Sequence, residues 1–572
     1  MKLYGKYFKK YKTPFLIAIV CVTLEAFCDL LGPTLMSRII NTGIEKGKLT
    51  QVYHWGSIML IVTLVGAAFA ITRNNLASYV SQRMGADLRK DMFVKIMSFS
   101  EGSADKLESG SLITRMTNDS AQVVQSVNGT MRIFLKAPIT CIGSIILATI
   151  LNPRLSIIIY VVVAIVSGLI YLSMKLSYPR FSRLQVAIDQ VNSKVQEYLI
   201  GVRLVKAFGT YDSEMESFGE ANENLMKKGI SSQMVITLIS PMLTLVVGLG
   251  TVAVLFAGSE LYQRGLADTG DMSAFTIYMA QILTSLIMIT NVFTVFVRTK
   301  ASTLRIKEIM DCEEDFRRSG KDSKFHGNIS FEQVTFAYPS GSGVPAIKDL
   351  SFSVKSGESL AIIGPTGSGK STIAWLLLRF YDCDGGAIYL DGLDMRTLGR
   401  DEIRNNISIV PQKPMLFSGT ITDNLRWGSI NASLDEMRAA SGKAEGQFID
   451  QMGEGYDTLL GSGGVNLSGG QKQRISIARG ILKGASVFIL DDATSALDAV
   501  TEARVREKLK DESREQTLIT ITQRCTTAMF ADKILVMDNG CKVGFGSHAQ
   551  LMESCEVYQD IYHTQIEGGK EA

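Results

Sequence analysis

Apolar residues gather into six runs long enough to cross a bilayer, a span needing about 20 residues. They fall at roughly 15–36, 54–79, 133–152, 155–177, 234–260 and 271–297. The connections alternate in length. Segments 37–53, 153–154 and 261–270 are short, whereas 80–132 and 178–233 are long, polar and poor in helix breakers. This pattern predicts long helices that run past the bilayer. An even number of spans puts both termini on one side. Arg83, Arg89, Lys90 and Lys95 open the first long connection, and Lys175, Arg180 and Arg183 flank the second. With the basic N-terminus, they place the long connections and both termini in the cytoplasm.

Before the first run, Tyr4, Tyr7, Phe8 and Tyr11 recur at helical spacing with Lys6, Lys9 and Lys10 between them. That suits a short helix lying in the membrane interface, and equally a basic flank of the first span. The apolar run that follows is too long for a signal peptide and lacks a small-residue cleavage site. Glu25, Asp29 and Arg73 lie at membrane depth. Glu25 and Asp29 are four residues apart and share a helix face. Such a face points at a cavity or a partner. One reading is a site for cationic substrates, the other a structural contact to a neighbouring span.

From about residue 327 the period changes to short strands, turns and soluble helices. The stretch 311–326, with Asp311, Glu313, Glu314, Asp315, Arg317, Arg318 and Lys321, reads as a charged linker. The expected organisation is therefore a membrane domain over 1–310, a linker over 311–326 and a second domain over 327–572. The mean hydropathy of +0.17 is then an average over two unlike halves. Eight cysteines in 572 residues make no disulfide scaffold, and Cys21, Cys28 and Cys141 lie in apolar runs as buried or lipid-facing thiols. A net charge of +3 gives no footprint for nucleic acid. There are four histidines, His54, His326, His548 and His563.

Gly364-Pro365-Thr366-Gly367-Ser368-Gly369-Lys370-Ser371 matches the phosphate-binding loop G-x-x-x-x-G-K-S in full. A short apolar strand, Leu360–Ile363, precedes it, and a helix begins at Thr372. The glycines let backbone N–H groups approach phosphate oxygens, and the helix N-terminus adds a favourable dipole. Lys370 is expected on the β- and γ-phosphates and the Ser371 hydroxyl on Mg²⁺. Val487–Leu490 reads as a buried parallel strand ending in Asp491, a carboxylate at the edge where doubly wound sheets bind ligands. Asp491 is expected near the same Mg²⁺, usually through water.

Between these motifs stands Asn466-Leu467-Ser468-Gly469-Gly470-Gln471-Lys472-Gln473-Arg474, which resembles the signature of ATP-binding-cassette (ABC) transporters. Pro411-Gln412 followed by Leu416–Ile421 resembles their Q-loop, Phe336–Pro339 the stretch carrying the adenine-stacking aromatic (here Tyr338), and Ser495–Asp498 their D-loop. Gly110–Asp119 and Arg203–Phe208 resemble the two cytoplasmic excursions of the six-span export type. The resemblance covers nearly the whole chain. It implies an all-α six-helix transmembrane domain fused to an α/β P-loop ATP-binding-cassette domain, in a multi-pass protein of the cell membrane. It also implies a half-transporter that needs a second half. ATP and Mg²⁺ are the implied cofactors. Gly364, Thr366, Gly367, Gly369, Lys370, Ser371, Thr372, Gln412 and Tyr338 would hold ATP, and Ser371, Gln412 and Asp491 the metal. Ser468, Gly469, Gly470 and Gln471 would face the ATP of the partner chain, with Asp498 in the D-loop. Coupling helices are expected near 101–108 and 210–215.

Three positions depart from the family pattern. The residue after Asp491 is Asp492 where a general-base Glu is usual, so its carboxylate sits about 1.5 Å farther back, one C–C bond. Position 523, after the strand Thr517–Thr522, is Gln where a switch His is usual, and no histidine lies between His326 and His548. Ser462 stands where a Glu is usual. The catalytic candidates are therefore Asp492 and Gln523, in a site expected to bind ATP and hydrolyse it slowly. The alternative is two substitutions that leave the site competent. An intact signature beside a degenerate site resembles heterodimeric bacterial multidrug-type exporters, with a different partner chain supplying Glu and His. The exported substrate, whether small amphipathic molecule, lipid or peptide, is not named by the residues. A regulatory subunit that gates a partner, and a homodimeric exporter with slow ATPase, are the rival readings.

Overall fold

The structure, a computed structural model, describes residues 4–107, 109–315, 324–339, 341, 343–512 and 516–567. It divides into two compact units. One contains Met1–Val94 and Gly110–Asp311, the other Lys95–Ser109 and Cys312–Ala572.

The first unit is helical throughout, and the six helices expected from the apolar runs are present, each long and apolar enough to cross a membrane. Most run far beyond the apolar stretch that announces them. Leu49–Met97 is one helix of 49 residues and Pro153–Phe208 one of 56. At 1.5 Å per residue these reach about 74 and 84 Å, against a hydrocarbon core of about 30 Å. The second of these starts cleanly because the Asn152 side chain accepts from the N–H groups of Arg154 and Leu155, with Pro153 at the first position. It stops at Gly209, whose φ of +66° closes the last turn, and Tyr211–Gln263 returns from there. Gly110–Leu151 is a helical run broken into shorter pieces by π-helical turns at Arg115–Asp119 and Thr130–Phe134. Phe275, Tyr278, Leu155 and Ile159 fill the core of this bundle, while Phe256 and Ile150 stay exposed on its outside.

The N-terminal helix Gly5–Lys10 is held by side chains to a neighbouring helix. Tyr7 is buried and its hydroxyl donates to Asp91 at 2.6 Å, while Tyr11 and Lys10 both reach Asp87, at 2.8 and 2.6 Å. It is pinned to the helix Leu49–Met97 by its tyrosines and lysines together.

Among the described residues, the second unit carries two large sheets and one two-stranded sheet. β1 (Ile329–Phe336), β2 (Ile347–Val354), β4 (Gly385–Leu390) and β5 (Leu393–Asp394) form one in the order β2-β1-β4-β5, all antiparallel. β3 (Ser359–Ile363), β6 (Ile407–Val410), β9 (Val487–Asp491), β10 (Thr517–Ile521), β11 (Lys533–Asp538) and β12 (Cys541–Gly546) form the other. Its order is β12-β11-β3-β10-β9-β6, parallel except for the β12 edge. β7 (Gly419–Thr420) and β8 (Leu459–Leu460) make a small separate pair. The apolar strands are buried between helices on both faces, as parallel strands require.

Two details differ from the linear reading. The short helix Glu101–Lys106 and its flanks belong to the second unit, where Phe99 bridges Glu314. The start of the charged linker is also structured: the Asp315 carboxylate is nearly buried against Arg404 at 2.6 Å and Arg400 at 3.3 Å. Arg317, Arg318 and Lys321 of that linker lie outside the described residues.

Candidate nucleotide site

Four neighbouring parallel strands, in the order β3-β10-β9-β6, each release one motif at their C-terminal ends. β3 leads into Gly364–Ser371, β10 into Gln523, β9 ends on Asp491 and Asp492, and β6 leads into Gln412. Register fixes the alignment, since Ile521 pairs with Ile362 on one side and with Asp491 on the other. Motifs more than 150 residues apart in sequence thereby meet along one edge.

The loop after β3 works only with glycine at key points. A Cβ on Gly364 would lie 2.0 Å from the Met537 carbonyl oxygen. Gly369 has φ +92° and caps the helix Lys370–Leu377, and a Cβ there would lie 2.6 Å from Ala346 O. Lys370 is folded into its own loop, donating to Gly364 O at 2.9 Å and Pro365 O at 2.6 Å. Burial pulls its ammonium below the usual lysine range, and Asp491 and Asp492 oppose that.

Ser371 Oγ donates to Asp491 Oδ1 at 2.9 Å. Burial pushes the Asp491 carboxyl above the usual range; the Ser371 bond opposes this and the charge of Asp492 adds to it. A hydroxyl and a carboxylate side by side are hard oxygen donors, the set Mg²⁺ takes when phosphate and water complete its shell. Gln412 Nε2 donates to Asp492 Oδ2 at 3.0 Å, which brings the Q-loop onto the position expected for the general base. Asp492 sits at φ +46°, a left-handed conformation that Asp tolerates better than most residues. Gln523 is exposed at the end of β10. Its carbonyl accepts from Gln565 Nε2 at 2.8 Å.

Tyr338 stands beside the loop with its hydroxyl 3.0 Å from Thr372 Oγ1. Its ring meets Tyr381 edge-on at 5.4 Å. The Tyr381 hydroxyl in turn donates to Asp105 on the helix Glu101–Lys106 at 2.6 Å. Tyr381 and Asp105 were not predicted, because nothing in either local segment signals a partner 276 positions away.

The signature lies on a different element. Ser468 caps the helix Gly469–Leu482 in a capping box, with Gln471 Oε1 accepting from Ser468 N at 2.9 Å. Ser468 and Gly469 are exposed, so the helix N-terminus is presented outward. Asp498 is exposed too and accepts from Thr501 N at 2.9 Å at the head of the helix Ala499–Glu512.

In the first unit, Glu25 is buried and Asp29 exposed. Arg73 Nε lies 2.7 Å from Glu25 Oε2, and Lys136 Nζ lies 2.5 Å from Glu25 and 2.8 Å from Asp29. Two carboxylates therefore face two cations. Lys136 escaped prediction because it reads as the basic flank of the third apolar run.

The chain matches known proteins over both halves. Residues 15–286 match the ABC transporter transmembrane region, and residues 347–495 match the ABC transporter domain. The chain is 38% identical over 552 residues to the ABC transporter ATP-binding protein YfiB of Bacillus subtilis (strain 168), covering 96% of each. It is 30% identical to the ATP-dependent lipid A-core flippase of Pectobacterium atrosepticum, over 97% of this chain and 96% of that one. In fold it is similar to a bacterial Atm1-family ABC exporter solved with ATP bound, with a TM-score of 0.81 and 24% identity over 98% of this chain and 99% of that one. With a membrane region and an ATPase domain matched in order along one chain, this protein belongs to the ABC transporter family of ATP-hydrolysing membrane transporters.

Proposed function

We propose that this chain is one half of an ATP-driven exporter and works with a second, different half that carries the competent Glu and His. The observation that carries this reading is the pair Gln412–Asp492. The Q-loop amide holds a carboxylate that is one methylene short, next to a switch position occupied by Gln. Errors near 1 Å in catalytic placement cost about 10²-fold. Gln523 can hydrogen-bond but carries no positive charge.

Binding is the stronger function of this site. Lys370 exchanges loop carbonyls for phosphate oxygens, a charge-assisted gain, and backbone N–H groups of the loop take the rest. Bound Mg²⁺, beside Ser371 and Asp491, would neutralise phosphate charge. Ser468, Gly469, Gly470 and Gln471 present a capped helix N-terminus that suits the γ-phosphate held by the partner. Closure around shared nucleotide then drives the outward-opening step, and hydrolysis at the partner's site resets it.

Exposed apolar surface supports a two-chain arrangement. Phe417 and Trp427 stack at 4.3 Å on the second unit, with Ile430 83% exposed. Phe208, Tyr211 and Met215, around the expected second coupling helix, are equally uncovered on the first unit. Such surface is a docking signature, and each suits the other's counterpart on a partner chain. The long connections and both termini are assigned to the cytoplasm on the basic flanks.

An amphipathic substrate fits the first unit best. It contains a cavity of about 1160 Å³ lined by Phe8, Phe15, Phe134 and Phe296 together with Lys300 and Lys307. That is roomy for a drug-sized ligand, which takes about 300–1,000 Å³. The similarity to a lipid A-core flippase points the same way. Isolation of the tagged chain from its native membranes, with mass spectrometry of co-purifying chains, tests the assembly. A second half-transporter with Glu and His at the two altered positions is expected; recovery of this chain alone overturns the heterodimer.

A further inference from the structure

The backbone around the switch position is held from two directions by side chains with no place in the nucleotide chemistry. Gln565, in the turn His563–Glu567, makes two hydrogen bonds with one amide. Its Nε2 donates to Gln523 O at 2.8 Å, and its Oε1 accepts from Cys525 N at 2.8 Å. Cys525 opens the short helix Cys525–Ala528, which has no side-chain cap of its own, so Gln565 satisfies one of its orphan donors from a distant element. Between these two bonds Arg524 reaches the other way, to Glu502 at 2.8 Å and to Ser495 O at 3.2 Å. Thr522 Oγ1 accepts from Arg524 N at 3.0 Å.

Gln565 is itself exposed, and the helices that lead to it are packed onto the sheet. The C-terminal helices pack Leu551, Cys555 and Tyr558 against Ala361 and Ile363 of β3, the strand that carries the phosphate loop, and against Cys525. Tyr558 is fully buried and is hydrogen-bonded to His548 Nδ1 at 2.9 Å. The position of Gln523 relative to the phosphate loop is thus referenced through the C-terminal turn rather than through β10 alone.

We propose that Gln565 is a positioning residue that clamps the switch segment Gln523–Cys525 at the height needed for γ-phosphate chemistry. The proposal rests on the segment after β10 being the switch loop, whatever the Gln523 side chain contributes. Without the clamp, the segment gains freedom, the nucleotide still binds through the phosphate loop, and the chemical step slows.

The test uses the full-length chain, purified from membranes with any partner it retains. Two readouts are taken on wild type and on Gln565→Leu, which keeps the bulk and loses both bonds. Amide exchange across 523–525 reads the clamp. Single-turnover cleavage of azido-ATP crosslinked to this chain reads its own site, as rate and as half-saturating concentration. Gln559→Leu is the control, because it removes a 2.7 Å side-chain bond to Met552 O in the same helical hairpin without touching the switch. Expected for Gln565→Leu are about tenfold faster exchange, from two lost bonds of about 0.5–1.5 kcal/mol each, and a severalfold slower cleavage rate with half-saturation within twofold. Gln559→Leu should leave the rate unchanged. Unchanged exchange in Gln565→Leu, an unchanged cleavage rate, or an equal slowing by Gln559→Leu would overturn the proposal. Gln523→Ala separates the two ideas: full activity in it, with slowing in Gln565→Leu, removes Gln523 as switch residue and leaves the backbone clamp standing.

Discussion

Gln412 donates to the Asp492 carboxylate across 3.0 Å, so the segment expected to be the Q-loop and the position after Asp491, the carboxylate expected near Mg²⁺, are joined in one hydrogen bond. A Glu at 492 would carry its carboxylate about 1.5 Å past that point. If shortness and missing charge limit this site, the double substitution Asp492→Glu with Gln523→His raises ATP turnover about tenfold or more. Steady-state phosphate release measures it, and an unchanged rate counts against the degenerate-site account.

Lys370 is nearly buried among loop carbonyls and has no other cation to replace it in the loop motif. Lys370→Met should weaken ATP binding by about 100-fold, the upper end for losing charge-assisted bonds. Transport should fall with it. Retained basal transport with lost regulation would favour the gating-subunit reading instead.

Tyr381 joins Tyr338, the expected adenine aromatic, to Asp105 on the helix Glu101–Lys106. Tyr381→Phe keeps the ring contacts and removes only the bond to the carboxylate, about 1.5–3 kcal/mol for a charged acceptor. ATP affinity should stay within about twofold, while substrate stimulation of ATPase drops. Stimulation curves against nucleotide binding isotherms decide it, and an equal loss in both would make Tyr381 merely structural.

The four-charge cluster of Glu25, Asp29, Arg73 and Lys136 fits a structural contact between spans, since its charges balance. Glu25→Gln leaves two cations facing only Asp29, and breaking such a buried pair costs about 3–5 kcal/mol. Thermal unfolding in lipid should show the loss, with partial recovery when Arg73→Met is added. Equal loss of transport for cationic and neutral substrates supports this reading; selective loss for cations restores the substrate site.

Burial raises the Asp491 carboxyl above its unfolded value. A raised carboxyl favours the folded chain at low pH, and that contribution is lost as pH rises through the raised value. Above the unfolded carboxylate range, burial of this group is therefore a cost in the nucleotide-free chain. Asp491→Asn should raise its melting temperature at neutral pH and flatten the pH dependence, while abolishing the added stability from Mg-ATP. A lower melting temperature without nucleotide would contradict this.

What was legible in the sequence followed locality. Membrane spans announce themselves in about 20 consecutive residues, and Gly364–Ser371 carries its strand, turn and helix within one short window. The break at Gly209 did not stand out, because 178–233 reads as one long polar stretch poor in helix breakers. For Lys95–Ser109 the resemblance implied a coupling helix near 101–108 that presses on the nucleotide domain, but not the individual contacts with Glu313, Glu314 and Tyr381, which are made only after folding. Lys136 was hidden by looking like a flank, and Gln565 by lying in a polar tail whose single amide bridges two groups of a distant loop.

An asymmetric machine turns over nucleotide at one of its two sites, and site-resolved turnover reads that difference. The tagged complex is loaded with azido-ATP, allowed one turnover, and crosslinked, and the ATP-to-ADP ratio is read separately on each chain. A second, different chain is expected to carry mostly ADP while this chain retains mostly ATP. A homodimer of this chain that converts its own nucleotide at more than about 1 s⁻¹, the range of ordinary enzymes, would contradict it.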